Sequence, residues 1–217
     1  MSRRHHCPPP PLPSGYQQLN YIQATGTQWI DIGYKPNNRT YYYLDFQSTK
    51  TDIGGNNFGV VRWSGANTYD TFAISDAAST DYKILFYYGR YSYNQYAKLG
   101  QNSSTFLGQR HNGYIDGINK ICNLDNTYYA TIGNYSYQSS YNMVLFGFNN
   151  MGNINADGYL KVFECIINDN NIPQRHYIPA LRISDYKVGL YDLCGSICPL
   201  TNTPFYINAG SGDFLYG

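Results

Sequence analysis

The sequence predicts an all-β fold: a two-sheet antiparallel β-sandwich preceded by a proline-rich extended N-terminal arm. Three observations carry that prediction. First, 25 tyrosines and 10 phenylalanines bring aromatics to 17%, charged residues reach only 13%, and glutamate occurs once, at Glu164. Aromatic side chains suit a pleated, half-buried surface, and the helix formers Ala, Leu, Glu and Lys are scarce. Second, the 21 glycines and abundant asparagines suit turns that need positive φ. Third, apolar residues recur with period two, and no stretch keeps helical period over three turns, so any helix is short. A chain of 217 residues suits one large sandwich better than two domains.

Residues 1–13 read as a unit of their own. Arg3, Arg4, His5 and His6 make the tip basic, and Pro8, Pro9, Pro10, Pro11 and Pro13 favour a polyproline II path. At about 3.1 Å per residue the arm reaches roughly 30–40 Å when extended. A basic, extended arm is a candidate anchor to a partner protein, with Arg3, Arg4, Pro8, Pro9, Pro10 and Pro11 making the contact.

Residues 14–217 form the predicted sandwich domain. In Tyr42 to Gln47, Tyr42, Leu44 and Phe46 share one face and Asp45 and Gln47 the other. Lys83–Tyr88, Met143–Phe148 and Gly158–Ile167 are nearly continuous apolar runs and read as central strands. Gly54-Gly55, Asn112-Gly113, Asp116-Gly117 and Asp157-Gly158 read as turns between them. Tyr114 to Ile118 reads as a tight hairpin with Asp116-Gly117 in a type I′ turn. No fixed-period self-similarity points to a solenoid or propeller.

Charge and cysteines narrow the role. A formal net charge of +1 gives no global field for nucleic acid or anionic lipid, and no apolar stretch is long enough for a membrane span. The first residues lack the apolar core of a secretory signal, so export by that route is not expected. Cys7, Cys122, Cys165, Cys194 and Cys198 are odd in number, which points to reduced thiols in or near the core. Cys194 and Cys198 lack the second pair or the histidines that a zinc site needs.

Two terminal motifs resemble a known family. Near the start are Leu12-Pro13-Ser14-Gly15-Tyr16, Leu19-x-Tyr21-Ile22, Thr25-Gly26-Thr27-Gln28-Trp29-Ile30-Asp31-Ile32-Gly33 and Pro36. Near the end are Arg175-x-Tyr177-Ile178-Pro179-Ala180, Gly189-Leu190-Tyr191-Asp192 and Phe205-Tyr206-x-Asn208-Ala209-Gly210-Ser211-Gly212-x-Phe214. This pattern resembles a concanavalin A-like, laminin-G-like jelly-roll family found in bacteriophage structural proteins and gut-bacterial surface proteins. The resemblance implies a jelly roll whose first and last segments meet. It implies no activity, because that fold hosts lectins, glycosidases, adhesins and virion parts. Read physically, the motifs are strand-and-turn grammar: Ile30 and Ile32 alternate against Trp29 and Asp31, and glycines bound the strands.

Catalysis is not expected. Glycosidases of that class place two carboxylates on one strand, usually glutamates. Glu164 is the only glutamate, and its i±2 neighbours are Val162 and Ile166. It reads as an outward polar residue, while Asp169, Asp185 and Asp192 read as turn and cap residues. Outside the tail only His111 and His176 remain, and no nucleophile motif, phosphate loop or metalloprotease motif accompanies them. Asp76 to Asp81 is at most a weak calcium signal. No catalytic residue, metal or cofactor is therefore assigned.

Binding is the better expectation. Trp63, Tyr69, Arg90, Tyr91, Tyr93 and Tyr96 offer aromatic faces and a guanidinium, a chemistry suited to a glycan or a partner protein. Too few cations flank them for single-stranded nucleic acid. The expected role is a virion structural protein: a capsid decoration, head-fibre or tail-associated module. It would be made in the host cytoplasm, held to other virion proteins by its arm, and a trimer by analogy with fibre-like phage proteins. The alternative is a lectin-like glycan-binding module, either receptor-binding or a bacterial adhesin.

Overall fold

A computed structural model describes residues 11–50, 57–64, 69–76, 83–90, 96–134 and 136–217. In chain order the strands are β1 (Tyr16–Gln18), β2 (Ile22–Gln23), β3 (Ile30–Asp31), β4 (Thr40–Ser48), β5 (Asn57–Ser64), β6 (Tyr69–Asp76), β7 (Ile84–Arg90) and β8 (Tyr96–Leu99). After the four-residue helix α1 (Ser104–Leu107) come β9 (Arg110–Asp116), β10 (Ile121–Leu124), β11 (Tyr128–Thr131), β12 (Val144–Leu145), β13 (Phe148–Asn150) and β14 (Asn153–Asn155). The chain ends with β15 (Leu160–Asp169), β16 (Ile172–Arg182), β17 (Lys187–Asp192), β18 (Phe205–Ile207) and β19 (Leu215–Tyr216).

Two sheets result. The larger runs β11-β10-β9-β4-β15-β16-β17-β18, and the smaller runs β14-β13-β5-β6-β7-β8 with β12 and β3 alongside. Their pairings are antiparallel except for β13 against β5. The sheets face each other across one core, the arrangement of a β-sandwich. On β4 the residues Tyr42, Leu44 and Phe46 are buried and their neighbours half-buried, as period two requires. Across the gap Phe46 meets Phe58 with ring centroids 4.7 Å apart, and Tyr42 meets Phe72 at 5.9 Å.

The two ends of the described chain are woven together. β16 pairs with β15 only as far as Cys165 opposite Tyr177; beyond that point it pairs with β1, where Gln18 lies opposite Ala180. β15 meanwhile pairs with β2, Val162 opposite Ile22, and β2 pairs in turn with β19. The β15–β16 hairpin is thus a fork, and the segment joining β1 to β2 fills it.

The terminal motifs lock onto each other. The Ala209 and Ser211 amides donate to the Trp29 and Thr27 carbonyls at 2.9 and 3.0 Å. The Asn208 carboxamide accepts from the Trp29 amide at 3.0 Å, and Gln28 donates to the Asp213 carbonyl at 3.0 Å. Gly210 is required for close approach, because a Cβ there would meet the Thr27 carbonyl. Arg175 spans the two sheets: Nε donates to the Ile32 carbonyl at 3.0 Å and Nη2 to that of Gly33 at 2.7 Å. Tyr177 donates to the same Ile32 carbonyl at 3.0 Å.

Several local expectations are corrected. Asn112-Gly113 is no turn: it lies inside β9, opposite Asp45 and Leu44, and the glycine leaves room for the Phe86 ring of the other sheet. Asp116-Gly117 does not form a two-residue type I′ turn. Asp116 pairs with Ile121 across a four-residue loop whose positive φ falls on Lys120. The Asp116 carboxylate instead accepts the amides of Ile118 and Asn119, each at 3.0 Å. The Met143–Phe148 run is no single strand. It breaks at Phe146 (φ +63°) into β12 and β13, so that Phe146 can enter the core. Of the cysteines, Cys122, Cys165 and Cys198 are buried and Cys194 is exposed; all four are free thiols. Gly54-Gly55 and Cys7 lie outside the described residues.

Candidate functional site

The outer face of the larger sheet carries a polar cluster that begins with one irregularity. Between Val162 and Glu164 the register of β15 against β4 shifts by a β-bulge. The bulge turns both Phe163 and Glu164 outward, half-buried, while Val162 and Cys165 on either side remain in the core. It also sets Glu164 directly opposite Asp45 of β4. Two carboxylates therefore share a cross-strand position on the outer face.

Each carboxylate has a partner of opposite character. Arg110 of β9 grips Asp45 with two bonds, Nε to Oδ1 at 2.8 Å and Nη2 to Oδ2 at 2.7 Å. Its guanidinium lies over the Phe163 ring, 3.7 Å from the centroid. The bond and charge of Asp45, helped by Glu164, hold the guanidinium above its ordinary range despite partial desolvation. His176 of β16 meets Glu164 through Nε2 at 2.7 Å. Tyr43 sits on the same face; burial pushes its hydroxyl up, and the charges of Asp45 and Glu164 push it further.

A cavity of about 310 Å³ opens here, lined by Gln18, Leu19, Asn20, Asp45, Arg110, Phe163, Glu164 and Ile178. It lies at the vertex of the fork, where β15 and β16 part. Gln18 and Asn20 come from the segment that fills the fork, and both are exposed. The cavity thus owes its place to two breaks in the ladder, the bulge and the fork, at the same point.

Among the residues expected to bind, the structure gathers some by backbone position only. Trp63 lies opposite Asp70 near the end of β5, Tyr69 opposite Ser64 at the start of β6, and Arg90 opposite Asp70 at the end of β7. These three therefore share one end of the smaller sheet, while Tyr96 starts β8 opposite Tyr87. Tyr91 and Tyr93 lie outside the described residues, as do Arg3, Arg4, Pro8, Pro9 and Pro10 of the arm; Pro11 is described and exposed. The Asp76–Asp81 calcium signal falls outside them too, apart from Asp76 itself, which is buried at the end of β6. Among the described residues no group of three or more His, Cys, Asp or Glu is placed to hold a metal ion.

The aspartates read as turn residues do have structural partners. Asp169 bonds Arg39 at 3.1 Å and Asn37 at 3.0 Å, and Asp185 bonds Arg182 at 2.6 Å. Asp192 is fully buried and accepts the amides of His176 and Cys194. The sequence reading missed the Asp45–Glu164 pairing because it sought a second acid on the strand of Glu164. Alternation already marked Asp45 as outward, but the register that brings it opposite Glu164 is a tertiary property.

No protein-family model and no curated protein matches this chain.

Proposed function

We propose that the chain is a non-catalytic structural module of a bacteriophage particle: a capsid decoration, head-fibre or tail-associated protein with a concanavalin-like jelly-roll body. The arm of residues 1–13 would fasten it to other virion proteins, and the sandwich would face outward or meet further copies of itself, a trimer by analogy. The observation that supports this most is the interlocking of the two terminal motifs. The residues that resemble the phage-associated family touch one another: Asn208 and Ala209 bond Trp29, and Arg175 and Tyr177 bond the Ile32 carbonyl. The resemblance therefore follows contacts that build the body and not a reaction centre.

The test is particle assembly. Mass spectrometry of purified particles is expected to find the intact chain at fixed copy number, and deletion of residues 1–13 is expected to abolish incorporation. Wild-type occupancy by the truncated chain would refute the anchor, and absence of the intact chain from particles would refute the virion role.

A further inference from the structure

We propose that a groove beside the C-terminal strand takes the proline tract Pro8–Pro11 of a second copy's arm, so that copies of the chain are joined arm to body. The proposal rests on the attachment role given to the arm and names a partner for it.

The groove has a volume of about 270 Å³ and lies between the β16–β17 turn and β19. Tyr186, Val188, Phe214 and Tyr216 give it apolar walls, and Asp185 and Asp213 give it acid groups. Tyr186 is 77% exposed and Tyr216 53%. Ile183 on the same turn and Leu215 on the same strand are exposed as well. Apolar surface gathered in this way marks a contact site.

A proline tract fits it in three respects. Proline rings pack on tyrosine faces, and a polyproline II segment is extended before it binds, so docking orders little that was free. Prolines lack the N–H, so the tract brings carbonyl acceptors alone. β19 offers the complement. Gly217 exchanges bonds with Tyr21 at 3.4 and 3.2 Å, and by alternation the Tyr216 amide turns away from β2. Among the described residues that amide has no backbone partner. A lone edge donor beside two tyrosine hydroxyls suits a segment that only accepts. Charge agrees too. The Asp213 side chain is 90% exposed, and its ion pair with Lys187 is long, at 3.8 Å. His6, His5 and Arg4 precede Pro8 by no more than four residues, roughly 12 Å of polyproline path, which brings positive charge within reach of that carboxylate.

The docking is between copies and not within one. The root of the arm does share an end of the sheet with the groove: the Ile183 amide donates to the Gly15 carbonyl at 2.9 Å. Tyr16, however, donates to the Pro13 carbonyl at 3.2 Å across a turn with Gly15 at φ +95°. That turn reverses the chain. Traced outward from Pro13, the arm therefore heads in the direction of β1, away from the turn that carries Tyr186. The arm of a neighbouring copy meets no such constraint.

The test uses the full chain in solution. Sedimentation equilibrium is expected to show concentration-dependent association below about 1 mM, weakened at least about tenfold by Tyr186→Ala and by joint replacement of Pro8 to Pro11 with alanine. Tyr186→Phe keeps the ring and is expected to keep most of the association. Tyr129→Ala, on β11 at the far edge of the larger sheet, is expected to leave it unchanged. Tyr186 is exposed, so its variants read the groove without threatening the fold, which thermal melts check. A benzophenone side chain placed at position 186 of isotope-labelled chain, mixed with unlabelled chain, is expected to cross-link to an unlabelled arm peptide. The proposal is overturned if the chain stays monomeric, if association survives both weakening variants, or if the cross-link joins position 186 only to its own arm or to another segment. These outcomes are read without particles. A chain that fails them yet needs residues 1–13 for incorporation keeps the attachment role and loses only this partner.

Discussion

His111 shows how much one residue can decide. Its ring is buried, with Nε2 2.6 Å from the Phe106 carbonyl and Nδ1 2.7 Å from the Asp125 carboxylate. A carbonyl and a carboxylate both accept, so both ring nitrogens are called upon to donate, and the imidazolium is the form that satisfies them. Desolvation pulls the imidazole down, but the bonds to Asp125 and Phe106 and the charge of Asp125 outweigh it and raise the group above 6.5. The unfolded chain lacks these partners. The stability His111 contributes is therefore complete below about pH 6.5 and is lost as pH rises through the raised folded value. His111→Gln is expected to cost about 1–3 kcal/mol at pH 5.5, and the gap from wild type should narrow toward pH 9 in thermal melts. A gap independent of pH would refute the charged ring. Tyr42 poses the opposite case. Its hydroxyl is buried and, among the described residues, has no hydrogen-bond partner. Tyr42→Phe should thus lie within about 1 kcal/mol of wild type, or above it, in denaturant titration. A loss beyond about 2 kcal/mol would mean that the hydroxyl is satisfied.

Among the elements, β15 and β16 organise the molecule. β15 lies between β4 and the β16–β2 side, and its bulge permits an otherwise regular strand to aim two consecutive side chains outward. β16 carries Arg175, whose guanidinium bonds the carbonyls of Ile32, Gly33 and Gln174 as well as the Ser196 hydroxyl. Lysine has one donor centre and no planar fork, so it cannot reach all of these acceptors. Arg175→Lys is accordingly expected to destabilise by about 2–3 kcal/mol in guanidinium denaturation. A change under about 0.5 kcal/mol would show that the clamp is dispensable. Strand composition was legible for β4, β7 and β15, where alternation or a long apolar run is local. The break at Phe146 and the course of β9 through Asn112-Gly113 were not. In both places the backbone answers to a neighbour from elsewhere: Phe146 turns into the core, and Gly113 yields space to Phe86.

At the scale of the molecule, the core is one cluster that runs from Leu19 to Phe214 among the described residues. Of the arm, the described residues 11–13 are absent from that cluster, and deletion of residues 1–13 is expected to change folding stability by less than about 1 kcal/mol while abolishing attachment. A large loss of stability would assign the arm to the body instead. By itself the sequence determined the all-β class, the faces of the longest strands, the brevity of the helix and the terminal motifs. Each of these is written in residues close together in the chain, because side-chain alternation and turn chemistry act over a few residues. Only the tertiary structure decided the fork, the meeting of Trp29 with Asn208, and the pairing of Asp45 with Glu164 beside Arg110. Those depend on strand register, which is set by how distant apolar faces pack and by where a bulge inserts one residue. A shift of one residue would send Asp45 to the core, and the cavity at the fork would not form.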